Sequence, residues 1–463
     1  MTTWLPDLAP LPGPRYAALA NAIAQDIAAG TLPAGVRLPP QRDLAYRLGV
    51  TVGTVGRAYA VAAQRGLVSG EVGRGTYVRP RSAPSGRTDR VGDGDDALIT
   101  LTVNAPPDPS YRALLGQGLG EIGARAGALD ELLSYTPKRG FADHRAAAAA
   151  WIGRVGLAVA PDQIVITGGA HQAIVAAFAA LTRPGDTVMV EALTYAGVCH
   201  IAERLGLRLH GLAIDEEGLR PDALEEAAQS RRARLLFVNP TAHNPTTATM
   251  SQGRREAIVA LARRHDLILI EDDVYGQLPD ERPPPLAALA PERTVHISSA
   301  SKSVAPGLRL GILASPAALQ QRIAEAQHDL FLTCPPLMAE LFRHWLATGV
   351  ADRLAKQQRF EAAARQALAR DLLGAHCYQA QPTSYHLWLP LPPPWRTAEF
   401  TALVRERGVA IDPGSSFAVD PAIAPHAVRV SLSAAASRER LARALTVLAR
   451  TLDEAPARRR EVI

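Results

Sequence analysis

The chain has 463 residues, of which 47% are hydrophobic, so it exceeds one minimal domain and can bury a large core. Cys199, Cys334 and Cys377 are far apart and form no CxxC pattern, which argues against a disulfide framework or a metal site. The net charge is +5, and no uncharged stretch approaches the roughly 20 residues needed to span a bilayer, so we expect a cytoplasmic protein without a membrane partner.

The positive charge is concentrated at the N-terminal end. Residues 1–90 contain 11 arginines, no lysine and five acidic residues, which gives +6 and leaves −1 for the rest of the chain. This asymmetry indicates a basic module for a polyanion, attached to a nearly neutral body. An ordinary solvated arginine surface would give the same charge balance.

Three short helices and a hairpin are predicted before residue 80. Apolar residues at three- and four-residue steps predict a helix from Arg15 to Ala29. The segment LPAGVRLPPQRDLAYRLGV predicts a turn and a helix from about Gln41 to Leu48, after which Thr51 caps a third helix. GLVSGEVGRGTYV alternates apolar residues around glycines, as a β-hairpin does. Together these elements predict a winged helix-turn-helix.

Residues 15–78 resemble the GntR-type winged-helix DNA-binding domain through PAGVRLPPQRDLAYRLGV, TVGRAY and GLVSGEVGRGTYV. The resemblance implies that double-stranded operator DNA is a partner. Family members usually carry Ser-Arg where this chain has Thr51-Val52, which removes a long cationic donor from the recognition helix. The DNA contacts that the resemblance implies fall on Arg42, Thr51, Gly53, Thr54, Arg57, Arg74 and Gly75.

A linker separates this module from the rest of the chain. Residues 80–96, PRSAPSGRTDRVGDGDD, are rich in Pro, Gly, Ser and charge and show no periodic apolar pattern. This composition predicts a flexible linker. We therefore expect a DNA-binding domain at residues 1–79 and a second domain at residues 97–463.

The second domain has the pattern of an α/β fold. Short apolar runs alternate with longer helical patterns, which predicts a mostly parallel sheet covered by helices. Ligands of such sheets bind beyond the C-terminal ends of the strands. The predicted strands lie in QIVITGG, DTVMVEA, RLHGLAI, ARLLFVNP, LILIEDDVYG, RTVHISSAS and LRLGILAS.

Several of these strand ends carry polar residues. In TGGAHQAI, glycines and the first amides of a helix suit a phosphate, although a simple strand-to-helix turn has the same sequence pattern. Asn244 follows one strand in NPTAHNPTT, and Asp272 and Tyr275 follow another in LILIEDDVYG. Acidic residues at such a position suit magnesium equally well.

The loop SSASKSVAPGLRLG contains Lys302, one of only three lysines in a chain with 47 arginines. A lysine whose pKa is lowered forms a Schiff base with an aldehyde, which arginine cannot do. Ser299, Ser301 and Arg309 are suitable donors for a phosphate dianion. A lysine, a phosphate cradle and a strand-end carboxylate together match the needs of pyridoxal 5′-phosphate.

Residues from about 97 to 450 resemble a fold-type I pyridoxal-phosphate aminotransferase domain, which has a smaller C-terminal α+β part. The matching motifs, in order, are YTPKRG, TGGAHQAI, EALTYAG, NPTAHNPTT, EDDVYG, SASKSVAPGLRLG, GVAIDPGSSF and VRVSLS. The resemblance implies that Lys302 carries the internal aldimine and that Asp272 pairs with the pyridinium nitrogen. It also implies that Tyr275 and Asn244 bond the ring oxygen. The catalytic set that it implies consists of Lys302, Asp272 and Tyr275.

The same resemblance assigns the remaining site residues. Tyr195 would stack on the ring, Arg429 would bind the α-carboxylate of an amino acid, and Asn244 is also assigned to substrate binding. Tyr135 would reach a phosphate across a dimer interface. The family's NPTG reads NPTT here, and Ala170 and His171 replace hydroxyl or amide residues, so backbone amides matter more. The implied phosphate cradle consists of Gly169, Ala170, His171, Ser299, Ser301 and Arg309.

The order of the two domains resembles the MocR-type group of GntR-family transcriptional regulators. The resemblance implies a homodimer arranged head to tail and an amino acid or amine effector that acts through the cofactor aldimine. A working aminotransferase with a secondary DNA-binding module is the alternative, since the chemistry set is complete. A third interpretation is that the cofactor is bound only for structure.

Overall fold

The computed structural model describes residues 4–6, 14–29, 31–33, 36–64, 67–71, 75–78, 98–125, 127–229 and 233–454. The chain divides into two compact units, Met1–Val91 and Gly92–Ile463. The predicted linker at residues 80–96 and the predicted DNA contact Arg74 lie outside the described residues.

The first unit has the predicted helices and hairpin. Leu19, Ile23, Val55 and Tyr59 are buried together in its core, because the apolar stripes of the helices face one another. The described elements are α1 (Arg15–Ala29), α2 (Gln41–Leu48), α3 (Val52–Gln64) and the antiparallel pair β1 (Val68–Glu71) and β2 (Gly75–Val78).

The turn between α2 and α3 is set by two local features. Gly49 ends α2 at φ 62°, a conformation that glycine adopts without steric cost. The Thr51 hydroxyl accepts a hydrogen bond from the Thr54 backbone amide at 3.2 Å, which is the predicted cap of α3. The sequence therefore positions the N-terminal end of α3 through its turn residues.

The second unit contains thirteen α-helices and fourteen strands among its described residues. The helices are α4 (Tyr111–Gly123), α5 (Ala128–Leu132), α6 (Ala142–Gly153), α7 (Ala170–Leu181), α8 (Ala196–Arg204), α9 (Pro221–Gln229), α10 (Gln252–Arg264), α11 (Leu286–Leu289), α12 (Ala317–Phe331), α13 (Pro336–Ala347), α14 (Val350–Leu373), α15 (Thr397–Glu406) and α16 (Arg438–Asp453). Across the described ranges, none of the helices has the combined length and apolar character needed to cross a membrane.

The strands of the second unit form one large sheet and several small ones. They are β3 (Ile99–Thr100), β4 (Ile164–Thr167), β5 (Thr187–Glu191), β6 (Arg208–Leu212), β7 (Ile214–Asp215), β8 (Gly218–Leu219), β9 (Leu235–Val238), β10 (Ile268–Asp272), β11 (Thr294–Ser299), β12 (Gly311–Ala314), β13 (His386–Pro390), β14 (Val409–Ala410), β15 (Asp412–Pro413) and β16 (Ala427–Ser431).

The large sheet has the order β4-β12-β11-β10-β9-β5-β6 and consists of the seven predicted strands. All pairings are parallel except those of β12, which is antiparallel to both of its neighbours. Every residue of β4, β9 and β12 is buried, as expected for strands with both faces covered. The prediction of a mostly parallel, helix-covered sheet is confirmed.

The C-terminal part is a separate small sheet with helices packed against it. Its strands have the antiparallel order β13-β16-β15. Apolar residues such as Leu387, Val430 and Phe400 bury one face of this sheet against α15 and α16. In this register Arg429 lies between Trp388 on β13 and Asp412 on β15.

Candidate functional site

Strand ends of the large sheet bring the predicted residues into one region. Asp272 is the last residue of β10, and Ser299 is the last residue of its parallel neighbour β11. Lys302 follows three residues after Ser299. Because parallel strands present their C-terminal ends at one edge, the lysine and the carboxylate belong to the same site.

Lys302 is half-buried and held by backbone contacts from distant segments. Its Nζ donates to the Asn104 carbonyl oxygen at 2.6 Å, and its own carbonyl accepts from the Tyr385 hydroxyl. Burial, together with the positive charges of Arg429 and Arg309, lowers the pKa of Lys302 to about 8. Near neutral pH the site therefore contains a useful fraction of neutral, nucleophilic amine.

Asp272 lies in an unfavourable environment for a lone carboxylate. Burial raises its pKa to about 7, and the carboxylates of Asp273 and Glu191 act in the same direction. The Val274 amide, at 3.3 Å from Oδ1, and the Lys302 charge oppose this shift. A protonated pyridine nitrogen placed against Asp272 would supply the missing cation, so the carboxylate fits the predicted cofactor.

A buried polar network connects the lysine to Tyr275. Asn104 Nδ2 donates to the Tyr275 hydroxyl at 2.9 Å and lies 2.9 Å from His386 Nδ1, which therefore accepts. His386 Nε2 is 3.2 Å from the His243 carbonyl and donates to it. Burial, with Arg429 nearby, lowers the pKa of His386 to about 3, so this imidazole is neutral and fixed in one tautomer.

The turn before α7 provides an anion-binding surface. Gly169 precedes the helix at φ 105°, and a Cβ at this position would clash with the guanidinium of Arg309. Arg309 Nη2 donates to the Gly168 carbonyl at 3.3 Å. Among the described residues, the buried Ser301 hydroxyl has no hydrogen-bond partner. A phosphate at the α7 N-terminus would accept hydrogen bonds from the Ser301 hydroxyl and the Arg309 guanidinium, which supports the predicted cradle.

Ser299 and His171 contribute less to this surface than their side chains suggest. The Ser299 hydroxyl donates to the Leu310 carbonyl at 2.8 Å and accepts from the Ser301 amide at 3.0 Å. Its single hydrogen is therefore used within the loop. His171 is exposed by surface area, although partial desolvation by neighbouring groups, together with the Arg309 charge, lowers its pKa. His171 and Ala170 lie in the first turn of α7, where backbone amides are the donors.

Tyr195 is positioned immediately before α8. Its ring lies directly over Gly197, where a Cβ would clash with it, and meets the His171 ring edge-on at 6.4 Å. Burial raises the pKa of Tyr195, and the Asp272 carboxylate adds to this shift, so the phenol is neutral.

Arg429 is buried and contacts several parts of the second unit. Nη1 donates to Asn244 Oδ1 at 2.7 Å, and Nη2 donates to the Thr102 carbonyl and to Asp412 Oδ2, the latter at 2.6 Å. The guanidinium lies 4.5 Å from the centre of the Phe417 ring. Arg429 and Asn244, both assigned to substrate binding by the resemblance, are thus in direct contact, and Asp412 is an addition that the sequence did not predict.

The remaining predicted contact residues are Tyr135 and the predicted DNA contacts of the first unit. The Tyr135 side chain is 90% exposed. In the first unit Arg42 and Gly53 are exposed, and the Thr51 and Thr54 hydroxyls bond each other at 2.8 Å. The Arg57 guanidinium stacks on Tyr16 at 4.2 Å, so this arginine also packs α3 against α1. Gly75 begins β2.

Comparisons with known proteins agree with this arrangement. Residues 15–78 match the family of bacterial regulatory proteins of the gntR family, and residues 96–448 match aminotransferase class I and II. The HTH-type transcriptional regulator YdeF of Bacillus subtilis is 32% identical over 98% of this chain and 97% of its own length. The vitamin B6 salvage pathway transcriptional repressor PtsJ of Salmonella typhimurium is 31% identical, with coverage of 89% and 93%.

A solved structure supports the cofactor assignment. The α-aminoadipate aminotransferase LysN of Thermus thermophilus, complexed with N-(5′-phosphopyridoxyl)-L-leucine, is similar with a TM-score of 0.70 and 26% identity. The similarity covers 77% of this chain and 92% of LysN. The cofactor of the second unit is pyridoxal 5′-phosphate, and its phosphate, ring nitrogen and aldehyde match the donors and acceptors described above. The chain belongs to the MocR-type group of GntR-family transcriptional regulators, in which a DNA-binding winged helix precedes an aminotransferase class I and II domain.

Proposed function

We propose that this regulator senses a primary amine or an amino acid through its bound cofactor and changes its affinity for operator DNA in response. The observation that carries the proposal is Lys302, a half-buried amine with a pKa lowered to about 8, in a chain that also has a helix-turn-helix. When bound, pyridoxal phosphate supplies an aldehyde carbon that is held by the Lys302 amine and can pass to the amine of an effector.

The residues around Lys302 have distinct proposed roles. Asp272 would hold a proton on the ring nitrogen, and Tyr275 and Asn244 would bond the ring oxygen. Tyr195 would cover one face of the ring. Support comes from the buried Asn104 contact that orients the Tyr275 hydroxyl and from the raised pKa of Asp272. Gly169, Ala170, His171, Ser301 and Arg309 would hold the phosphate, with Ser299 shaping their loop.

The DNA-binding function belongs to the first unit. Arg42, Thr51 and Arg57 are exposed around α2 and α3, where a winged helix approaches the duplex. We propose domain limits of 1–79 and 97–463, with residues 80–96 as the linker. The exposed Tyr135 supports a head-to-tail homodimer in which this ring reaches the partner's phosphate site. We place the protein in the cytoplasm, where operator DNA is available.

A working aminotransferase is the second candidate function. Lys302, Asp272, Tyr275, Asn244 and Arg429, the residues that the resemblance assigns to the chemistry, are all present, and Arg429 Nη1 donates to Asn244 Oδ1 at 2.7 Å. A 2-aminoadipate transaminase of Thermus thermophilus is 30% identical over 62% of this chain and 73% of its own length. The two functions differ in their products, because only the enzyme releases a keto acid.

One experiment separates the candidates. Purified protein with bound cofactor is mixed with a panel of amines and amino acids while cofactor absorbance, operator affinity and keto acid release are measured together. The proposal predicts that at least one compound changes both the absorbance and the DNA affinity. Steady keto acid release without a change in DNA affinity would support the enzyme instead. An unchanged absorbance with every compound would indicate a cofactor bound only for structure.

A further inference from the structure

Three of the five N–H donors of Arg429 already have partners within the second unit. A guanidinium has five N–H donors: one on Nε and two on each terminal nitrogen. Both Nη2 hydrogens are used, one by the Thr102 carbonyl and one by Asp412 Oδ2. One Nη1 hydrogen is used by Asn244, and the buried Nε has no partner among the described residues.

This pattern blocks the usual recognition of a carboxylate. A carboxylate binds a guanidinium with two parallel hydrogen bonds, along the edge formed by Nε and Nη2 or along the edge formed by Nη1 and Nη2. Each of these edges needs a hydrogen from Nη2. An incoming α-carboxylate can therefore form a two-bond contact with Arg429 only after Asp412 or Thr102 gives up its place.

The strand register fixes Asp412 in this position. Asp412 on β15 is the direct antiparallel neighbour of Arg429 on β16, so the two side chains lie on the same face of the small sheet. The Arg429 side chain is 8% exposed and the Asp412 side chain 21% exposed. The ion pair is thus built into the sheet and largely shielded from solvent.

The surrounding charges disfavour a second carboxylate at Arg429. Asp412 already pairs with the guanidinium at 2.6 Å. An effector carboxylate that arrives without displacing Asp412 would place two like charges around one cation. An uncharged group at the same place carries no such cost.

We infer that Asp412 is a specificity-determining residue, which occupies the carboxylate-binding edge of Arg429 and selects primary amines that lack an α-carboxylate as effectors. This inference rests on the proposed sensing function and names its ligand class. The amine group still reaches the cofactor beside Lys302, while the Arg429 end of the pocket receives an uncharged part of the ligand. An α-amino acid must displace Asp412 or Thr102 from Arg429 before it can form the two-bond contact, and it meets the Asp412 charge in either case.

The test compares ligands that differ only in the carboxylate. Leucine is paired with isopentylamine and ornithine with putrescine, and each compound is titrated into the cofactor-loaded full chain while absorbance is recorded. We expect each amine to bind at least about tenfold more tightly than its amino acid, a difference of about 1.4 kcal/mol. The variant Asp412→Asn keeps the size of the side chain and removes its charge, and should improve amino acid affinity by about tenfold or more.

Two controls make the comparison specific. Asp420→Asn removes a carboxylate that accepts from the Ala422 amide in the exposed turn before β16, and should leave both affinities as in the unmodified protein. Adding Arg429→Gln to Asp412→Asn should remove the gain in amino acid affinity, because the gain requires the freed guanidinium. Asp412→Ser serves as a second charge-removing variant if the asparagine protein does not fold.

The outcomes are distinct. Tighter binding of the amino acids than of the amines by the unmodified chain, or unchanged amino acid affinity after Asp412→Asn, would overturn the inference. If no compound alters the absorbance of the unmodified chain, the sensing function fails. Calorimetric titration of the same amino acids then still decides the role of Asp412, since stronger binding by Asp412→Asn supports competition for Arg429 and equal binding contradicts it.

Discussion

Lys302 combines two requirements that oppose each other in most surface lysines. Its amine must be accessible to a ligand, yet it must lose its proton near neutral pH. Burial of the side chain, helped by the positive charges of Arg429 and Arg309, lowers the pKa of Lys302 to about 8. The Asp272 carboxylate acts in the opposite direction. The lysine is therefore a better nucleophile at neutral pH than its ordinary pKa would allow.

The rate at which the chain without cofactor captures pyridoxal phosphate should follow this pKa. The neutral amine is the reactive form, so the rate should rise about tenfold from pH 7 to pH 9 and level off above about pH 9. Stopped-flow absorbance measures this rate. A lysine with an ordinary pKa would give a rate that is still rising at pH 9.

Lys302→Ala should remove the lysine-bound cofactor signal, and survival of a reducible bond between cofactor and protein would contradict the assignment.

The sequence predicted some residues of the pocket better than others. Lys302, Asp272 and Tyr275 lie directly after strands that apolar runs made recognisable, so their position at the sheet edge followed from the pattern. Asn104 and His386 were missed, although they contact each other across 282 residues of chain. No local pattern indicates which distant loop completes a site. Asp412 was missed because its importance depends on the register of two short strands.

At the scale of elements, the turn between β4 and α7 depends on backbone geometry. Gly169 has φ 105° and lies against the Arg309 guanidinium, while the Gly168 amide donates to Gln172 Oε1 at 2.6 Å. A side chain at Gly169 would disturb both the backbone conformation and the arginine. The turn therefore controls how the first amides of α7 and the Arg309 donors converge on an anion.

Gly169→Ala should weaken pyridoxal phosphate binding by at least about tenfold, because the added methyl group forces Arg309 away and strains the turn. Equilibrium titration of the cofactor by absorbance checks this expectation. Gly253→Ala is the matched control: this glycine lies in α10, and a Cβ there meets no other atom within 4 Å. The control should bind the cofactor normally and gain up to about 1 kcal/mol of stability. Equal cofactor affinity in both variants would contradict the proposed cradle.

The long elements were predictable and the short ones were not. Helices α1 and α2 begin and end where their apolar periodicity and Gly49 indicated, and the seven strands of the large sheet match seven apolar runs. The antiparallel direction of β12 did not follow from its sequence, since a buried strand is apolar in either direction. Two-residue strands such as β14 and β15 are too short to show any period.

At the scale of the whole molecule, charge and chemistry are divided between the two units. The basic excess lies in residues 1–90, and the cofactor-binding groups lie after residue 98. DNA and the pyridoxal phosphate cofactor therefore bind to different domains of one chain. Regulation requires a coupling free energy between these surfaces, which for many proteins is about 1–3 kcal/mol.

Arg42→Ala should weaken DNA binding on all sequences, because phosphate contacts fix the position of the protein without reading bases. The slope of log affinity against log salt concentration should fall by about one, as expected for the loss of one phosphate contact. Fluorescence anisotropy at several salt concentrations measures both quantities. The exposed Arg353 on α14 provides the control, since Arg353→Ala also removes one positive charge but from the second unit. Unaltered DNA affinity in Arg42→Ala would exclude its proposed role.

The segment that follows the predicted linker receives hydrogen bonds from both ends of the pocket. The Thr102 carbonyl accepts from Arg429, and the Asn104 carbonyl accepts from the Lys302 amine. We expect the Lys302 bond to depend on the ligand, because an effector amine that takes the cofactor aldehyde would free the Lys302 amine to donate to the Asn104 carbonyl. A charge-assisted bond of this kind is worth about 1.5–3 kcal/mol, which is comparable to a typical coupling free energy. Residues 98–104 would therefore be held more firmly when the effector has taken the cofactor than when Lys302 holds it.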